Sequence, residues 1–150
     1  MPLITLPNPI LASVALPVDF ETDKDILRSL MYDMVETLGS GPTSGVGLAA
    51  NQVGVLKRVI LLGKSPYVPK AYFAINPSFK PVNNTAERNQ KEGCLSDPGN
   101  RYDITRFNQI DVEYYSQDGQ LIKARLSGLH SRIFQHEVDH LNGINIRDKS

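Results

Sequence analysis

At 150 residues the chain has the length of one domain, and about two thirds of its unfolded surface can be buried, enough for a true core. Sixteen basic and sixteen acidic residues cancel to zero net charge. There is no polybasic run, no interleaving of basic and aromatic residues and no apolar stretch of membrane-spanning length, so neither nucleic-acid nor membrane binding is expected.

Taken in chain order, Leu27, Leu30, Met31, Met34, Val35 and Leu38 recur at helical spacing after Thr22 and Asp23, which predicts an amphipathic helix over 23–38 that stops at Gly39. Residues 39–44, rich in Gly, Pro and Ser, read as a loop. Segments 58–62 and 71–75 read as strands, with Asn76-Pro77 ending the second. Segments 109–115 and 120–126 flank Ser116-Gln117-Asp118-Gly119, a hairpin signal whose second arm alternates Leu121, Lys123 and Arg125 against Ile122, Ala124 and Leu126. A second helix covers the stretch around 129–141, where Ser127 can cap it and Asn142-Gly143 can end it. Two helices among mostly antiparallel strands make an α+β domain. No repeat, low-complexity tract or linker divides residues 1–150, so a single domain is expected.

The chemistry is concentrated in that second helix, at Gln135-His136-Glu137-Val138-Asp139-His140. Histidines at i and i+4 lie one turn apart on one helical face, so both imidazoles can reach a single ion, and Glu137 beside the first is available as a general base. The bland alternative is an amphipathic helix with solvent-facing His and acidic residues. Against it, Leu129, Ile133, His136 and His140 are spaced by four, three and four, so both histidines continue the apolar stripe. His130, the third histidine, falls off that stripe, and Cys94 becomes the candidate third ligand. A lone cysteine forms no internal disulfide, and without an apolar signal segment the chain reads as cytoplasmic, where a thiol stays reduced. A buried structural cysteine is the commoner case, but the setting Glu92-Gly93-Cys94-Leu95-Ser96 is polar, and Gly93 permits close backbone approach. Two imidazoles and a thiolate leave one coordination position open, the arrangement of a catalytic metal site. Upstream, Gly45-Val46-Gly47-Leu48-Ala49-Ala50-Asn51-Gln52 lacks the further glycine and the preceding strand of a dinucleotide-binding turn. Glycines that let a ligand approach the backbone, followed by Gln52 as donor, fit an oxyanion site better.

These three segments, in this order and at these separations, resemble the three motifs of peptide deformylase. Pro7-Asn8-Pro9-Ile10-Leu11 with Leu16-Pro17-Val18, and Leu141-Asn142-Gly143 after the second histidine, extend the resemblance over nearly the whole chain. It implies antiparallel strands packed around a central metal-binding helix. Cys94, His136 and His140 would bind one divalent metal ion, Fe2+ in the native protein, with Zn2+, Ni2+ or Co2+ able to replace it. Glu137 would handle protons, while Gln52 and the backbone amide of Leu95 would hold the oxyanion. Gly45, Val46, Gly47, Gly93, Leu129 and Ile133 would contact the substrate, the apolar ones lining a methionine pocket, and Glu92 would pair with Arg106 behind the metal loop. The family removes the formyl group from the N-terminal formylmethionine of nascent chains, releasing formate. The implied partners are formyl-Met N-termini alone, for a monomer in the cytoplasm. Two rival readings are a metallopeptidase, which shares the helix motif but not Cys94 or the Gln52 segment, and an inactive binder of nascent N-termini, for which Glu137 would be superfluous.

Asp97 stands where the family commonly has Val or Ile, and is expected to place a charge near the peptide groove and alter sequence preference. Gln90 stands where an apolar pocket residue is frequent, and would make the pocket more polar. Ser150 lies ten residues after His140. The expectation is a short form without the C-terminal helix that docks on the ribosome, as in phage-encoded and organellar members; a phage origin would put the protein in the host bacterial cytoplasm.

Overall fold

The computed structural model describes residues 3–40, 46–65, 68–82 and 87–149. Its elements are α1 (Lys24–Ser40), β1 (Gly47–Ala49), β2 (Val59–Leu62), β3 (Tyr72–Pro81), β4 (Glu87–Cys94), β5 (Asp97–Phe107), β6 (Gln109–Tyr115), β7 (Leu121–Ser127), α2 (Gly128–Leu141) and the single turn α3 (Ile146–Lys149). Short 3₁₀ turns occupy Pro9–Ala12 and Ala50–Val53. Strands β1, β2, β3, β6 and β7 form one sheet in that order, and β4 with β5 form a separate two-stranded ribbon. Every pairing between named strands is antiparallel, and the α+β class holds.

The two helices take opposite faces of the five-stranded sheet, and β2 explains why. Its four residues, Val-Ile-Leu-Leu, are all buried. Side chains alternate across a strand. Val59 and Leu61 pack with Leu27, Leu30, Met34 and Leu38 of α1, while Ile60 and Leu62 pack with Ile133, Phe134, Val138 and Leu141 of α2. A strand covered on both faces has no polar side, so its sequence is a continuous apolar run. From Ser131 to Leu141 every residue of α2 is buried, so this helix is enclosed all round and its polar residues must find partners inside the protein.

Several boundaries differ from the sequence expectation. Helix α1 continues through Gly39, which does not take the left-handed conformation that stops a helix. It starts behind Asp23, whose carbonyl accepts the Leu27 N–H and whose carboxylate accepts from Asp19 N at 2.8 Å and Lys57 Nζ at 3.1 Å. Strand β3 does not end at Asn76-Pro77. It absorbs them in a bulge, with the register shifting between Ile75 and Ser78 and Asn76 at φ 52°. Proline has no N–H to give the ladder and fits at such an irregularity; the Asn76 side chain holds it by bonding Val18 N at 2.8 Å and Val18 O at 3.0 Å. The β6–β7 hairpin pairs Gln109 with Ser127 through to Tyr115 with Leu121, closed by Gly119 at φ 81°. Ser127 is the N-cap residue of α2 but makes no side-chain capping bond. Asn142 caps the other end, followed by Gly143 at φ 76°, where an added Cβ would sit 2.6 Å from Ala12 O.

Candidate active site

Helix α2 brings His136 and His140 one turn apart, ring centroids 5.0 Å from each other. Cys94 ends β4 at the tip of the ribbon, where the register shifts between Gly93 and Cys94. That irregularity turns its thiol toward α2, and Sγ lies 3.2 Å from His140 Nε2. One donor atom from each of Cys94, His136 and His140 falls within 4.8 Å of the others. His130 takes no part: its Nε2 is 2.7 Å from the Tyr72 hydroxyl.

Behind the histidines lies an ion-pair network that orients them. Glu92 Oε1 is 3.0 Å from His136 Nδ1, which commits that nitrogen and leaves Nε2 for the site. The same carboxylate receives Arg106 through Nε at 2.6 Å and Nη2 at 2.9 Å, and Arg132 Nη2 at 2.8 Å. Arg106, 3% exposed, also reaches Asp139 Oδ2 through Nη1 at 2.7 Å, and Arg132 donates to Ile104 O at 2.6 Å. Burial works against the Glu92 carboxylate, yet the bonds from His136 and Arg106 prevail and hold its pKa down to about 2. Burial likewise keeps His140 well below the usual histidine range, with His136 adding to the effect. His136 goes the other way: despite burial, the surrounding Glu137, Cys94 and Glu92 raise its pKa to about 10. A soft sulfur donor beside two imidazoles suits a divalent transition metal. The donor set therefore fits one divalent metal ion.

Glu137 is buried, and burial, opposed by His136 and Arg106, lifts its pKa to about 7. Its Oε1 has no hydrogen-bond partner among the described residues. Its other oxygen is wedged against β1: a Cβ built on Gly47 would stand 2.6 Å from Glu137 Oε2 and 3.0 Å from Ile133 Cγ2. Gln52 lies in the turn after β1. Its Oε1 accepts from Ala49 N at 2.9 Å, and its Nε2 donates to Ser96 Oγ at 2.9 Å with Cys94 Sγ at 3.7 Å. Ser96 donates onward to Ile4 O at 2.6 Å, and Asn51 Nδ2 donates to His140 O at 2.5 Å.

The structure thus brings Gln52, Glu92, Cys94, Arg106, His136, Glu137 and His140 together, with Gly47 against Glu137 and Ile133. Leu95 is half-buried and packs on the α1 side of the sheet. Leu129 packs on the α2 side. Val46 is 44% exposed, and Gly45 lies outside the described residues. Gly93 is exposed, and a Cβ there would meet nothing closer than 3.6 Å, so its own chain makes no close approach to it. Asp97 differs from expectation. It is 4% exposed, and its carboxylate is turned onto Arg147, Tyr102 and Asn100 instead of lying free beside a peptide groove. Gln90 is exposed and contributes its backbone carbonyl to Arg132 at 3.3 Å.

Sequence reasoning passed over Arg132 and Asn51. The signal for Arg132 was an arginine four residues before His136, next to Ile133 on a helix enclosed all round. A buried guanidinium there demands a carboxylate.

A family model described as polypeptide deformylase matches residues 1–150. The peptide deformylase of Orientia tsutsugamushi (strain Ikeda) is 41% identical, over 97% of this chain and 84% of that protein. That of Rhizobium meliloti (strain 1021) is 42% identical, over 95% of this chain and 80% of its own length. Among solved structures, a probable peptide deformylase from synechococcus phage S-SSM7 superimposes with a TM-score of 0.88 at 32% identity, covering 99% of both chains. The class I type b peptide deformylase of Acinetobacter baumannii, solved with Met-Ala-Ser bound, gives 0.88 at 32% identity over 100% of this chain and 98% of its own. With its whole length matched, relatives above 40% identity and a shared fold, the chain belongs to the peptide deformylase family.

Proposed function

We propose that this chain hydrolyses the N-formyl amide of formylmethionine at the N-termini of nascent polypeptides, consuming one water and releasing formate and a free amine, with residues 1–150 acting as one catalytic domain. The observation that carries the reading is Glu137, a buried carboxylate whose Oε1 has no hydrogen-bond partner among the described residues, beside the Cys94–His136–His140 donor cluster. Those three residues hold the metal, Fe2+ natively, with Zn2+, Ni2+ or Co2+ as substitutes. When bound, the metal supplies Lewis acidity that makes water nucleophilic at neutral pH.

The protein groups do the rest. Glu137 accepts the proton of the attacking water and returns it to the departing amine, and a pKa near the working pH suits transfer in both directions. Gln52 Nε2 and the Leu95 amide donate to the formyl oxygen as it becomes negative. Support for the Gln52 role is its pinned geometry, with Oε1 held by Ala49 N. Glu92, fixed by Arg106, holds His136 Nδ1 so that the ring cannot turn. Gly45, Val46, Gly47, Gly93, Leu129 and Ile133 receive the formylmethionyl end. An intact Glu137 favours an enzyme over a passive binder of N-termini. No helix among the described residues is long and apolar enough to cross a membrane; a monomer working in the cytoplasm is part of the same proposal.

The test is formate release from formyl-Met-Ala-Ser by protein purified anaerobically with Fe2+, beside Glu137→Ala and the unformylated peptide. Formate from the wild type and a loss of about 10²- to 10⁴-fold in the variant are expected for removal of a proton-transfer group. A metal-loaded wild type that yields no formate sinks the proposal, and cleavage of the Met-Ala bond would replace it with a peptidase.

A further inference from the structure

The single turn α3 carries two cations that reach different limbs of the metal centre. Arg147 meets Asp97 side-on, Nε to Oδ2 and Nη2 to Oδ1, both at 3.1 Å. Asp97 is the cross-strand partner of Cys94 at the bulged tip of the ribbon. Two residues further on, Lys149 Nζ lies 3.3 Å from Asp139 Oδ2, the oxygen that also receives Arg106 Nη1 at 2.7 Å. Asp139 immediately precedes His140. The turn itself is seated by Ile146, which is buried, and Asn145 Oδ1 accepts from Asp148 N at 3.1 Å.

We propose that α3 is a clamp, with Arg147 and Lys149 as positioning residues that fix the Cys94 strand tip and the His140 end of α2 relative to each other. The inference rests on Cys94, His136 and His140 being the metal-holding set. The Arg147 side chain is 47% exposed, and a pair with that much water around it contributes little to global stability. Asp97 keeps Tyr102 Oη at 2.8 Å and Asn100 Nδ2 at 2.9 Å when Arg147 is removed, so its carboxylate is not stranded and the ribbon retains its own pairing. What disappears is the tether at the strand tip itself, beyond the Arg106–Asp139 and Glu92–His136 links further along the ribbon, between two segments whose donor atoms must stay within a few tenths of an ångström of their places to hold an ion.

The test loads cobalt(II) into wild type, Arg147→Ala, Lys149→Ala, the double variant and Arg147→Lys. Cobalt release to excess chelator should quicken about tenfold in the double variant, the lower end of what partners behind metal ligands deliver. Turnover of formyl-Met-Ala-Ser should fall by a similar factor with KM little changed, since the effect is on the centre and not on ground-state binding. The apo-protein should melt within about 2 °C of wild type, as expected when an exposed pair is lost, and Arg147→Lys should recover part of the retention. Release and kcat matching wild type within about twofold overturn the clamp, because a tether that fixes the ligands' places must move their hold on the ion by more than that. So does a fall in kcat that merely tracks a lower apo melting point. A wild type that takes up no cobalt overturns the metal-centre reading and the clamp with it.

Discussion

Gly47→Ala is the most discriminating single substitution the site offers. Gly47 pairs with Leu62 in β1 and its backbone needs no unusual conformation, so only the added methyl matters. That methyl would sit 2.6 Å from Glu137 Oε2 and 3.1 Å from Cδ, whereas ordinary contact begins at 3.4 Å. The carboxylate must retreat by about 0.8 Å, and a displacement near 1 Å at a reacting group can cost about a hundredfold in rate. Stability should barely respond. Overpacking costs about 1 kcal/mol at its mild end, where the far tip of a side chain yields, and replacing glycine restricts the unfolded chain enough to return about half of it or more. Formate release should therefore show kcat down about a hundredfold with a melting point close to wild type. Gly39→Ala is the matched control, since an added methyl there has nothing within 4 Å and should leave kcat untouched. A Gly47→Ala enzyme whose kcat stays within about threefold of wild type would refute the argument that glycine is needed to seat Glu137, because it lies far short of what misplacement costs.

Glu92→Ala takes one carboxylate from Arg106 and Arg132, whose side chains are 1% and 5% exposed, leaving Arg106 with Asp139 and Arg132 without the carboxylate that Glu92 gave it. Breaking such a buried pair costs about 3–5 kcal/mol; urea unfolding should register it, and a loss below about 1 kcal/mol, the range of an exposed pair, would mean the network is incidental. The Asp23 carboxylate is held below its ordinary 3.8 by the Asp19 amide and Lys57. A depressed carboxylate stabilises the fold above its unfolded pKa and loses that contribution as pH falls through its folded one. Asp23→Asn should accordingly melt lower than wild type at pH 7, and the two curves should converge below about pH 3.8; a gap that persists into strong acid would show that charge is not its cause.

The parts of the fold legible in the sequence are those where one face of an element is apolar. The α1 stripe, the β6–β7 alternation and the turn between them could be read because local pattern and tertiary role coincide. The ribbon β4–β5 could not, since among its described residues only Ile104 is a buried aliphatic, and the inward face of β5 alternates Tyr102, Ile104 and Arg106, which is not an apolar pattern. Asn76-Pro77 reads as the end of β3 because proline ends a regular strand, whereas the fold tolerates it in a bulge. At the site, the residue types that do chemistry were recognisable from spacing and resemblance. The sequence places the Asp97 charge near the peptide groove because its partner, Arg147, lies fifty positions away, and no local pattern connects them.

The ribbon's poverty of apolar anchors has a consequence for how the protein opens. It is held to the rest by the pairs Arg106–Asp139, Arg132–Glu92, His136–Glu92 and Arg147–Asp97, and by Gln135, whose Oε1 accepts from Phe107 N at 3.1 Å and whose Nε2 donates to Phe107 O at 2.8 Å. The five-stranded sheet, by contrast, lies between two helices. Detaching the ribbon uncovers paired charges and little hydrocarbon, so that event carries a small heat-capacity change and a small denaturant slope. Native-state hydrogen exchange should find β4–β5 amides opening as a separate unit at lower free energy than those of β2 and β3. Cys94 ends that unit, so in the metal-free protein each such opening should expose the thiol without unfolding the domain.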